Sequence, residues 1–136
     1  MASSRDQQRL SKNLAIVIEE SKKRIVLGAV ANLIQVTPVA TGHARSNWVP
    51  SIDTPYAEVD GSRENVSHAA QAAGIVEIQG LGRARDLSGR FVAREVYITN
   101  NVPYIRDLNG GGSAQAPPGF VQTAVEQAGG KATGNF

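Results

Sequence analysis

The chain has 136 residues, of which 41% are apolar and 5% aromatic. That is one domain with a single core built mainly from Val, Ile, Leu and Ala. A formal net charge of +2 is too small to mark a nucleic-acid binder, even with a sequence pI of about 9.2, and the absence of cysteine excludes a disulfide framework, a thiolate nucleophile and a Cys-based zinc site.

The opening Met-Ala-Ser-Ser-Arg-Asp lacks the apolar stretch of a signal peptide, so synthesis in a cytoplasm is expected. No apolar run reaches the roughly 18 residues of a membrane span, and no membrane partner is expected. Residues 1–4 read as a flexible terminus. Residues 5–35 hold no proline, and Leu10, Leu14, Val17, Ser21, Ile25 and Gly28 recur at steps of three and four, which predicts one long helix. At 1.5 Å per residue it would be about 46 Å long, with a charged middle in which Glu19 and Glu20 pair with Lys23 and Arg24.

Thr37-Pro38 ends that helix, because the residue before proline is pushed out of helical geometry. After a turn at Thr41-Gly42, residues 46–52 read as a short strand closed by Asp53-Thr54-Pro55. Residues 65–79 read as a second helix with a narrow stripe of Val66, Ala69, Ala70, Ala73 and Val76, although Ile75-Val76-Glu77-Ile78 also suits a strand. Residues 91–100 read as the best strand, with Val92, Val96 and Ile98 on one face and Ala93, Glu95, Tyr97 and Thr99 on the other, which predicts one buried side.

Gly110-Gly111-Gly112-Ser113 reads as a hinge or disordered turn. Pro117-Pro118 opens a last helix whose Val121, Ala124, Val125 and Ala128 face inward and which Gly129-Gly130 ends. Residues 129–136 are expected to be a loose tail. The expected fold is therefore a single α+β domain over residues 5–128, with a long N-terminal helix and a small antiparallel sheet packed with one or two further helices.

Catalytic chemistry finds little support. His43 and His68 have no second histidine or carboxylate at helical ligand spacing, and Asp53, Glu58, Asp60 and Glu64 sit at turn-rich positions that favour solvated acids. Gly80-Leu81-Gly82-Arg83 lacks the Gly-Lys-Ser/Thr of a phosphate-binding loop. No catalytic, metal or cofactor-binding residue is assigned, and a non-enzyme is expected. Arg83, Arg85, Arg90 and Arg94, within a loop over residues 80–94, either grip phosphates or a partner's carboxylates or form an exposed solubilising stretch. The first reading makes the alternative function a small nucleic-acid-binding module.

Two separated stretches combine Gly and Pro, which fix backbone shape, with large aromatic contact surfaces. The first is Thr37-Pro38-Val39-Ala40-Thr41-Gly42-His43-Ala44-Arg45-Ser46-Asn47-Trp48; the second runs from Tyr97-Ile98-Thr99-Asn100-Asn101-Val102-Pro103-Tyr104 to Gln115-Ala116-Pro117-Pro118-Gly119. Trp48 is either the largest plug in an aliphatic core or an anchor for a neighbouring subunit, and Tyr104, at a strand exit, is open to the same two readings.

In order and spacing these stretches resemble the neck and tail-completion proteins of tailed bacteriophages, and the resemblance covers about residues 5–128. It implies a small α+β protein without enzymatic activity that forms a ring at the junction between capsid portal and tail. The implied partners are copies of itself in a sixfold or twelvefold ring, the portal-side adaptor, the tail proteins, and DNA that passes through the channel without sequence recognition. The implied location is the virion. Candidate family-motif or interface residues are Thr41, Gly42, Arg45, Asn47, Trp48, Asn100, Asn101, Pro103, Tyr104, Pro117 and Pro118. Two positions depart from the family pattern: Ala40 lies where an acidic residue is common, and Asn109 where a glutamate precedes the glycine. The basic loop over residues 80–94 is longer than the family's usual connection.

Overall fold

The computed structural model describes residues 13–18, 23–39, 42–80 and 95–136. Among the described residues, four antiparallel strands form one sheet: β1 (Leu14–Ile18), β2 (Val49–Ile52), β3 (Val96–Asn100) and β4 (Thr133–Asn135), in the order β2-β3-β1-β4. The helices are α1 (Lys23–Val36), α2 (His43–Ser46), α3 (Ala69–Gln79), α4 (Ile105–Asn109) and α5 (Phe120–Gln127). The α+β class expected from the sequence is therefore the class observed.

The long N-terminal helix is not. Leu14–Ile18 is a strand, paired with β3 from Leu14↔Asn100 to Ile18↔Val96, and the helix spans Lys23–Val36. The physical reason lies in Ile16-Val17-Ile18, three consecutive β-branched residues that lose χ1 freedom in a helix and pack well on a pleated surface. Four of the five β1 residues are buried, as befits an interior strand covered on both faces. The expected Glu19 and Glu20 pairings fall on residues outside those described; Lys23 donates to the Gln79 carbonyl over 3.2 Å.

Strand β3 also departs from the expected alternation, since all five residues are buried. Val96 and Ile98 join Leu14, Ile16 and Ile18 in the main core, while Tyr97 and Thr99 lie on the opposite face beside Ala15 and Val49, which are buried as well. The portion of the expected strand before residue 95 lies outside the described residues. Residues 43–46 of the first stretch form α2, so β2 begins at Val49. The tail expected to be loose contains β4, whose Gly134 pairs with Ile16. Gly134 has φ of 126°, and a Cβ there would come 2.3 Å from the Ala15 carbonyl oxygen, so only glycine lets this edge approach so closely.

The core lies between the sheet and helices α1 and α5. Val26, Ala29, Val30 and Leu33 of α1 meet Phe120, Val121, Ala124 and Val125 of α5, and Asn32 fastens the pair by donating to the Ala124 carbonyl over 3.1 Å. Helix α3 packs along β2 with a face different from the expected stripe: Gln71, Gly74 and Ile78 are buried, whereas Val76 is 66% exposed. A Cβ on Gly74 would lie 2.3 Å from the Pro50 carbonyl oxygen, so the closest approach of helix to strand is set there. The result is that α3 covers the outer side of β2, which as an edge strand would otherwise offer a template for another chain.

Candidate functional site

The two stretches singled out in the sequence converge on one hydrogen-bonded framework at the end of α1. Its centre is Thr37. The hydroxyl donates to the Leu33 carbonyl over 2.5 Å and accepts the indole N–H of Trp48 over 2.8 Å, while the backbone N–H of Thr37 also reaches Leu33 over 3.1 Å. Arg45 then covers the helix end, its Nε donating to the Thr37 carbonyl over 2.7 Å and its Nη2 to the Gln35 carbonyl over 3.1 Å. Helix α1 has no basic residue in its own last turn, so Arg45 supplies from outside the cation that terminal carbonyls favour.

The turn that returns Arg45 to the helix depends on Gly42. Its φ is 73°, and a Cβ there would meet nothing within 4 Å, so the requirement is one of backbone torsion and not of space. Thr41 and Ala40 lie outside the described residues. Beyond the turn, Asn47 uses its whole amide: Nδ2 donates to the carbonyls of His43 and Asp60 over 2.9 and 3.0 Å, and Oδ1 accepts from the Asp60 N–H over 2.8 Å. The His43 ring is buried beside this amide at 3.4 Å.

The second stretch locks onto the first through consecutive asparagines. Asn100 donates to the Ala44 carbonyl over 2.9 Å and accepts from the Val102 N–H over 3.1 Å. Asn101 donates to the carbonyls of Tyr56 and Glu58 over 2.8 and 3.1 Å. These backbone groups lie in a connection with little regular structure, so the amide side chains replace the partners that a strand or helix would provide. Among the described residues, no buried side-chain nitrogen or oxygen lacks a hydrogen-bond partner.

Trp48 is fully buried within its own chain. Its candidacy as an anchor for a neighbouring subunit is corrected accordingly: the ring fills the core and its N–H is already spent on Thr37. Tyr104 is half-buried, with the Arg63 guanidinium over its ring at 5.0 Å from the centroid. Pro103, Pro117 and Pro118 are exposed. Arg83, Arg85, Arg90 and Arg94 lie outside the described residues.

Sequence reasoning missed three supports of this framework. Gln71 of α3 donates to the carbonyls of Arg45 and Trp48 over 2.8 and 3.2 Å. Asp60 holds the start of α3 by accepting from Ser67 Oγ and the Ala70 N–H over 3.0 and 2.9 Å; lying nine positions before the helix, it carries no local capping signal. Asn109 serves α5 from a distance, Oδ1 accepting the Val121 N–H and Nδ2 donating to Gln122 Oε1, each over 3.0 Å. At the position where the resemblance implies a glutamate, an amide thus caps a helix N-terminus.

Comparison with family models, curated proteins and solved structures gives no match to this chain. The site is therefore characterised by its chemistry alone. Most of its side chains bind backbone, and no group of three or more metal-ligating side chains is found among the described residues. One phenol is perturbed: burial, then the charges of Asp60 and Glu58, raise the pKa of Tyr56 above its ordinary value. No helix among the described residues is long and apolar enough to cross a membrane.

Proposed function

We propose that this chain is a structural part of a tailed-phage particle, a neck or tail-completion protein. In this reading it forms a ring at the head–tail junction, joins the portal-side adaptor to the tail, and surrounds the channel through which DNA passes. Its work is recognition, without a covalent step.

The observation that carries the reading is the convergence of the two stretches. Asn100 holds Ala44, Trp48 holds Thr37, and Arg45 holds the end of α1, so residues distant in sequence form one rigid unit. The residues on which the resemblance rests are thus tied to each other by contacts and not only by order along the chain. A framework of this kind keeps its neighbouring loops in fixed positions, as repeated contacts in a closed symmetric assembly require. Stable association would need interfaces of roughly 1,200–2,000 Å².

Decoration of intact particles with an antibody against this chain tests the reading. Label confined to the head–tail junction is expected, and label along the tail or on the capsid faces contradicts it.

A further inference from the structure

Two grooves on the domain carry opposite charge and share no lining residue. The first, of about 280 Å³, is lined by Pro38, Arg63, Tyr104, Leu108 and Gln115, with no carboxylate among the described residues. Val39, 55% exposed, is fixed at its margin where its N–H meets Gln115 Oε1 over 3.3 Å. The second, of about 450 Å³, is lined by Ile52, Pro55, Tyr56, Glu58 and Glu77, with no Lys or Arg among the described residues. The acidic groove runs from Ile52, paired with Val96 at the start of β3, to Tyr56 and Glu58, whose carbonyls Asn101 binds just past the end of that strand, and the basic one lies further on, at Tyr104 and Leu108.

The charged groups in both grooves are exposed, and none makes an ion pair or side-chain hydrogen bond among the described residues. Arg63 lies over the Tyr104 ring, an arrangement that orients a guanidinium while leaving N–H groups at its edge for a carboxylate. The pKa of Tyr56 in the acidic groove is raised, by burial first and then by the charges of Asp60 and Glu58.

We propose that the Arg63–Tyr104 groove of one copy receives the acidic rim around Glu58 and Glu77 of a second copy, joining subunits head to tail. Two different, complementary patches on one chain make a heterologous contact, which leaves a groove free at one end of a growing chain and an acidic rim free at the other until rotation closes a ring. Charge complementarity sets the register and rejects the reversed pairing. This inference rests on the ring reading above and names the surfaces by which the ring would close.

The test is sedimentation of the full chain at about 0.01 M ionic strength, where screening is weak, for the wild type, Arg63→Glu, Glu58→Arg/Glu77→Arg, and an equimolar mixture of the two variants. Circular dichroism checks that both variants fold, as expected for exposed positions. Wild type is expected to associate beyond a dimer, and each variant alone to do so about tenfold or more weakly, because like charges then face each other. The mixture is expected to recover, since every contact in an alternating ring again joins opposite charges. Unchanged association of either variant, no recovery on mixing, association that stops at a dimer, or a wild type that stays monomeric overturns the proposal. The antibody label on intact particles is independent of these outcomes, so failure of the grooves is distinguishable from failure of the neck reading.

Discussion

The indole N–H of Trp48 donates to the hydroxyl of Thr37 over 2.8 Å, and that hydroxyl in turn donates to the Leu33 carbonyl. One small side chain therefore ends helix α1 and satisfies the only tryptophan in the core. Thr37→Val keeps the shape but leaves the buried indole N–H without an acceptor, and we expect a loss of about 1–3 kcal/mol. Thr37→Ser keeps the hydroxyl and is expected to lose less than Thr37→Val. Urea unfolding followed by Trp48 fluorescence measures both.

Asn109 is expected to behave as a helix cap although it precedes α5 by eleven residues. Asn109→Ala removes the acceptor of the Val121 N–H and should cost about 1 kcal/mol, within the range of about 0.5–2 for lost caps. Asn109→Asp keeps the acceptor and places a negative charge near the positive end of α5, so it should recover most of that loss. Thermal unfolding of the two variants under identical conditions separates these outcomes.

Two glycines should fail for different reasons. Gly42→Ala meets open space but must hold φ near 73°, a torsional cost of about 1–2 kcal/mol. Gly74→Ala has ordinary torsions but drives a methyl group against the Pro50 carbonyl, and overpacking of this kind costs about 1–3 kcal/mol. Hydrogen exchange distinguishes them: Gly74→Ala should expose amides of α3 and β2, and Gly42→Ala those around α2.

Tyr56 supplies a pH dependence at the alkaline end. Its folded-state pKa is raised, by burial first and then by Asp60 and Glu58, while the unfolded value is about 10. The native state thus holds the phenolic proton more tightly, so this contribution to stability is fully present below about pH 10 and is lost as pH rises through the folded value. Unfolding measured across that window should show a smaller alkaline decline for Tyr56→Phe than for wild type. Glu58→Gln should lower the tyrosinate midpoint assigned by difference from Tyr56→Phe.

The sequence disclosed helix α5 well, because Pro117-Pro118 and Gly129-Gly130 bracket a stripe that has only one inward face. It misled at β1. Leu14-Ala15-Ile16-Val17-Ile18 is short and wholly apolar, and such a run fits helical spacing as readily as a buried strand; only its β-branched content spoke for the strand. The alternation over β3 suggested a solvated face, yet Tyr97 and Thr99 are buried, since local pattern does not reveal what covers the second side of a sheet. Arg45, Asn47, Asn100 and Asn101 stood out in the sequence as family-motif or interface candidates, but the backbone groups they bind were not legible there. Each binds backbone carbonyls or amides whose proximity depends on tertiary folding, and a backbone group carries no residue-specific mark in the sequence.

Electron microscopy of particles assembled without this chain tests the central claim most directly. Separate DNA-filled heads and finished tails that join when the purified protein is added are the predicted result. Normal, infectious, fully joined virions in its absence would contradict it.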